Sequence, residues 1–182
     1  MEDKCKGGIE YLSAIMLISL AGIVLMYIIS YKEIKQYQYS VKDNLDSACL
    51  AAACADLSVY ENEARVEINY QNAKDIFFDT LMQNMKLEDD FTVPEGEIYD
   101  KITVHRFIVY NISGDMIEMY DYKDGSNYSY SSGVINATPL MPNGERIDNC
   151  TVYADIGMEV HSFAGINKYV HVISSADIVE NR

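Results

Sequence analysis

Apolar residues run without a charged interruption from Tyr11 to Tyr31, through the stretch YLSAIMLISLAGIVLMYIISY. A helix of that length, at 1.5 Å per residue, is about 30 Å long, which matches the hydrocarbon core of a bilayer. The pattern therefore predicts one membrane-spanning helix over residues 9–31. A cleaved secretory signal would have a shorter apolar core followed by a small-x-small site, whereas this run continues directly into YKEIK. Leu20-Ala21-Gly22 is followed by Ile23 and not by the Cys that would accept a lipid, so a lipoprotein signal is excluded.

Beyond Tyr31 the pattern turns from uniform to periodic. Ile34, Tyr37, Val41, Leu45, Ala48, Ala52 and Ala55 recur at threes and fours, with no Pro or Gly between them, so one helix of about 48 residues continues from the span into a segment at 32–58. Ala64, Val66, Ile68 and Tyr70 then alternate with Arg65, Glu67 and Asn69, the pattern of a half-buried strand. A second, short helix follows, with Asn72 as its cap and Ala73, Ile76, Phe77, Leu81 and Met85 as its apolar face. Four β-type segments complete the chain: KITVHRFIVYNI, MIEMYDY, CTVYADIGMEV and KYVHVISSADIV. In the third, Cys150, Val152, Ala154, Ile156, Met158 and Val160 share a face, and in the fourth Val170, Val172, Ser174, Ala176 and Ile178 do. That shared face is expected to lie on the long helix.

The fold expected is thus α+β, a long N-terminal membrane helix continuing into an amphipathic helix packed on an antiparallel sheet. Its divisions are a leader or cytoplasmic segment at 1–8, the span at 9–31, and an extracytoplasmic domain at 32–182, of which 59–182 is the globular part. The stretch DGSNYSYSSGVINATPLMPNGE, polar and irregular, reads as an exposed loop whose tyrosines serve adhesion, subunit contact or simple solvation.

Charge narrows the partners. Asp and Glu number 28 against 14 Lys and Arg, and an acidic body of this kind repels nucleic acid and anionic lipid. Lysines stand on both sides of the span, so basic residues alone do not orient it; long domains translocate largely regardless of charge, which places the amino end inside and the acidic domain outside.

Reactive chemistry leaves little mark on the sequence. No G-x-S-x-G, H-E-x-x-H or phosphate-binding glycine motif is present, and His105, His161 and His171 sit singly in strands or at a strand end. Glu88, Asp89 and Asp90 read as a solvated turn. Cys49 and Cys54 are about 140° apart on a helix, a poor arrangement for a metal. Cys150 lies on the sheet face expected to meet the helix that carries Cys49, and that placement is compatible both with a Cys49–Cys150 bridge and with two buried thiols. No catalytic residue, metal or cofactor is expected. Asn111, Asn127, Asn136 and Asn149 each open an N-x-S/T triplet, which carries little weight in an Asn-rich chain.

Glu10 asks for a reason, because a carboxylate at a helix centre in lipid costs roughly 2.5 to 3.5 kcal/mol, and less near the interface. It is accounted for either by the positive end of the helix dipole or by an amine of a neighbouring subunit, created if the chain is cut after Gly7 or Gly8. Lys6, then Gly7-Gly8, then Ile9-Glu10-Tyr11 and an uninterrupted apolar helix resemble the amino end of type IV pilin-like proteins. VKDNLDSACLAAACADL, residues 41–57, is similar to the segment after the membrane helix in minor pilins or pseudopilins of the tight-adherence (Tad) type. The resemblance covers about the first third of the chain. It implies a single-pass subunit of a bacterial cytoplasmic membrane or a cell-surface pilus, with no catalytic activity. Its partners would be membrane lipid, other pilin-like subunits, the pilus assembly machinery and a prepilin peptidase. Processing would fall at Gly7, Gly8 and Ile9, and subunit contact at Glu10, Tyr11, Ser13, Ala14, Ala21 and Gly22. The competing reading is a membrane-tethered binding module, an adhesin or partner-dependent sensor ectodomain. The Tyr-rich stretch is the feature that favours it.

Overall fold

The computed structural model describes residues 3–54, 66–93, 99–123, 125, 128–162 and 165–178, with the backbone alone for residues 3–9 and 100. Helix α1 (Asp3–Ala52) is followed by α2 (Tyr70–Met85) and by strands β1 (Tyr99–Ser113), β2 (Met116–Lys123), β3 (Ser129–Val134), β4 (Thr151–His161) and β5 (Asn167–Asp177). The strands form one sheet in the order β3-β2-β1-β4-β5, every neighbouring pair antiparallel. This is the α+β arrangement expected, a long apolar N-terminal helix and a short second helix with an antiparallel sheet.

Both helices cover one face of the sheet. The stripe Ile34, Val41, Leu45, Ala48, Cys49 and Ala52 of α1 is buried against Val152, Ala154, Ile156, Met158 and Val160 of β4 and Val170 and Val172 of β5. Helix α2 adds Ala73, Phe77, Leu81 and Met85 to the same core, and the Phe77 ring lies 4.6 Å from that of Phe107 of β1, tilted by 34°. The hairpin between β1 and β2 closes tightly because Gly114 adopts φ 59°, a left-handed conformation that costs glycine nothing. Helix α2 ends on Lys86, itself left-handed at φ 53°, whose N–H bonds Gln83 O and Met82 O.

Among the described residues no strand precedes α2, where one was expected. Val66 to Asn69 lie outside any ladder, and Ala64 and Arg65 lie outside the described residues. Ile68 is paired instead by a side chain: Asn111 accepts from Ile68 N at 2.9 Å and donates to Ile68 O at 3.0 Å. A buried primary amide here takes the place of a strand edge, with its oxygen and one of its N–H groups engaged. Asn69, not Asn72, caps α2, its side chain accepting from Asn72 N at 3.1 Å.

The stretch expected as an exposed loop is more ordered than its composition suggests. It contains β3 at the sheet edge, and the segment after β3 crosses the face opposite the helices. There Met141 and Ile147 bury Ile108, Tyr110 and Tyr153 in a second small core. The sheet is therefore covered on both sides over part of its width.

Cys49 and Cys150 are both buried and are not joined to each other. Ser174 hydrogen-bonds Cys49 and pairs with Ala154, four residues along β4 from Cys150, a separation of roughly 13 Å at strand rise. Cys150 turns to the backbone instead, its sulfur 3.4 Å from Val66 O and 3.4 Å from Ile112 N.

Candidate functional site: the uncovered stem and the outer sheet face

From Glu10 to Ile29 every residue of α1 is exposed, and Ser30 is the first to be buried. Large apolar groups project in all directions, with Leu12 and Ile18 each 73% exposed. Among the described residues α1 is the one helix long and apolar enough to cross a membrane, and none of its most apolar 18-residue stretch is covered by the protein. A helix that is hydrophobic all round and touches nothing is fitted to lipid or to other copies of itself.

The helix brings some of the expected contact residues together and separates others. At 100° per residue, Glu10, Ala14 and Ala21 fall within about 40° of one another, so the acid stands above a narrow strip of small side chains. Tyr11 and Gly22 share a different face, about 20° apart, and Ser13 belongs to neither. The Ser13 hydroxyl donates to Glu10 O at 2.9 Å, a bond within the helix that satisfies the hydroxyl without a partner chain. A Cβ on Gly22 would meet nothing within 4 Å, leaving that face open to close approach.

Glu10 also lies deeper than its sequence position suggests. Helix α1 begins at Asp3, and Gly7, Gly8 and Ile9 are helical, which puts Glu10 about two turns in. The dipole acts within the first turn, so in this structure it does not compensate the carboxylate.

At the junction of stem and domain, Ser30 Oγ and Glu33 Oε2 are buried with no hydrogen-bond partner among the described residues. Farther along α1, burial pushes the Cys49 thiol up to about 12, so it is an inert packing group. Among the described residues, exposed Cys54 is the accessible thiol.

The face of the sheet away from the helices carries a second feature that the sequence did not disclose. A register shift in β1 between Val104 and Arg106 turns both His105 and Arg106 outward. His105 Nε2 lies 2.8 Å from Tyr169 Oη, and its ring stacks on His171 at 5.1 Å and 27°. His171 Nδ1 is 3.3 Å from Asp155 Oδ1. Tyr169 and His105 sit above Gly157, where a Cβ would fall against the Tyr169 hydroxyl and His105 Nε2. Arg106 beside them grips Asp121 with Nε at 3.0 Å and a second nitrogen at 2.6 Å, and the carboxylate holds the guanidinium above its usual range. Tyr169 and His171 stand two apart on one face of a strand, which was the legible half of this cluster; the shift that delivers His105 leaves no such mark.

Among the described residues no three His, Cys, Asp or Glu side chains are placed to hold a metal ion. No protein-family model, curated protein or solved structure matches this chain.

Proposed function

We propose that this chain is a structural or assembly subunit of a Tad-like type IV pilus or related secretion filament, anchored through α1, and that its role is packing and not catalysis. The observation that carries this reading is the continuity of α1. One unbroken helix of 50 residues is uncovered on all sides from Glu10 to Ile29 and forms the spine of an acidic domain in its second half. Lateral association of such stems in a membrane or filament core would place the Ala14–Ala21 strip of one against the next. Cutting after Gly8 would return Glu10 to the first turn of its helix and set a new α-amine beside it, giving the carboxylate both a dipole and a neighbour's cation.

Glu10 follows Gly8 by two residues, where pilins of the resembled type usually leave five, which makes the mature amino end the quantity to measure. The test is the intact mass and amino-terminal sequence of the protein isolated from its native membranes, with sedimentation of any sheared filaments. The expected chain starts at Gly8 or Ile9 and appears with the filaments. A chain that starts at Met1 and never sediments with a filament overturns the reading. It would favour a membrane-tethered binding module, for which the exposed Tyr128 and Tyr130 and the outer-face cluster at His105 are the available surfaces.

A further inference from the structure

The sheet has two ends, β3 and β5, and no described strand pairs with the outer side of either. Four antiparallel steps separate them, so β3 and β5 run in the same direction. If copies share one membrane, as the proposed function requires, their α1 helices point the same way. Self-pairing of β3 about a two-fold axis perpendicular to the sheet would reverse α1, which packs along the sheet's face, and is excluded by that shared orientation. A sideways displacement across the sheet, which keeps the helices parallel and on the same face, carries the β3 end of one copy toward the β5 end of the next. The two strands then meet in the same sense, the geometry of a parallel ladder.

The chemistry of the two ends is complementary. Ser129 to Val134 contain no charged residue, no Pro and no bulge, the devices that normally keep an edge strand from pairing. On its helix-side face β3 presents Tyr130, 50% exposed, whose hydroxyl donates to Glu118 at 3.2 Å. At the other end, α1 and β5 enclose an open groove of 270 Å³ lined by Lys35, Gln38, Tyr39, Lys42, His171 and Ile173, among others. Lys35 and Lys42 bring two cations to this groove in a chain with 28 acids and 14 bases; on their own helix Lys42 pairs with Asp46 and Lys35 donates to Gln38, so an incoming carboxylate shares these lysines with Asp46 and Gln38.

We propose that neighbouring copies of this chain join edge to edge, β3 of one against β5 of the next, with Tyr130 and Glu118 entering the Lys35–Lys42 groove. The contact is heterologous, so it leaves a free β3 at one end and a free β5 at the other and repeats without closing. It rests on the subunit reading given above and names the surfaces through which the domains, as distinct from the stems, would touch.

Two differently tagged full-length chains, both carrying Cys5→Ser and Cys54→Ser, test this when produced together in membranes and mildly oxidised. One carries Tyr130→Cys and the other Tyr39→Cys. The expected product is a mixed-tag disulfide dimer at least tenfold more abundant than the dimer formed by Tyr130→Cys alone. Lys35→Glu with Lys42→Glu in the second chain should lower it at least tenfold, and Glu118→Lys in the first should restore it to within twofold. Absence of the mixed dimer, or dominance of the Tyr130→Cys self-dimer, overturns the proposal. A parallel Ala14→Cys cross-link in the stem separates the two levels. If it forms while the edge pair does not, the edge contact alone is wrong; if neither forms, the subunit reading falls with it.

Discussion

The two halves of α1 are built from the same kind of residues and end in different surroundings. Leu17 and Leu45 are both leucines in one continuous helix, yet Leu17 is 67% exposed and Leu45 is 0% exposed. The difference is set by periodicity and not by apolar content. In the first half apolar groups occupy every direction, so no rotation of the helix hides them in a protein core. In the second half they form one stripe, with Lys32, Gln36 and Tyr39 outside it, and a single sheet face suffices to bury them. Uniform pattern selects lipid or sister helices; striped pattern selects a domain.

The strongest way to break this comparison is to truncate the two leucines in the detergent-solubilised full chain. Leu45→Ala removes a fully buried side chain, and it should lower the denaturant-unfolding free energy of the domain by about 2 to 5 kcal/mol. Leu17→Ala should leave that value unchanged within about 0.5 kcal/mol. Equal losses would mean that the stem packs on the domain and is not an independent surface.

Insertion reads the other half. Leu20→Arg places a charge near the middle of the stem and should cost roughly 2.5 to 3.5 kcal/mol of membrane insertion, seen as a shift of the chain from the membrane to the soluble or degraded fraction. Leu50→Arg, on the 61% exposed side of the domain half, should stay in the membrane fraction with unaltered yield. If both fractionate alike, the boundary at Ser30 has no meaning for the bilayer.

The smallest effect comes from Cys49. Its folded pKa, about 12, lies above the ordinary thiol value of 9.0, so the unfolded chain loses this proton first as pH rises. Stability from this group is complete below pH 9 and declines above it, by about 1.4 kcal/mol per pH unit, until the folded thiol also ionises. Tyr70 and Tyr110, each pushed up to about 12 from 10.0 by burial, add the same sign at higher pH. Denaturation of the wild type and Cys49→Ala between pH 8 and 10 should show a shallower decline in the variant; parallel curves would remove Cys49 from the account.

Much of this plan was legible because it depended on periods. The alternation of Val152, Ala154, Ile156 and Met158 marked the covered face of β4, and the threes and fours from Ile34 to Ala52 marked the stripe that meets it. What escaped the sequence depends on single contacts. Met141 and Ile147 sit in a segment without period and become core only because the chain folds back over Ile108 and Tyr153. Val66 to Asn69 alternate like a strand, but Ile68 pairs with the Asn111 side chain and Val66 O with the Cys150 thiol, contacts that no pattern announces. His105 joins Tyr169 and His171 because one extra residue shifts β1, moving the buried positions from Ile102 and Val104 to Phe107 and Val109. In the stem, helical spacing sufficed to place Glu10 over Ala14 and Ala21, whereas the number of turns preceding Glu10 had to come from where the helix begins.

The unbroken run of α1 gives the molecule a mechanical property. From Glu10 to Ala52 the helix contains one glycine, Gly22, and no proline, so the shaft has no hinge between stem and domain. A tilt of about 10° at the stem would carry the far end of this shaft sideways by about 11 Å at 1.5 Å per residue. Torque or tension applied to one end of the molecule is therefore delivered to the other as displacement, and the domain steers wherever its stem is turned.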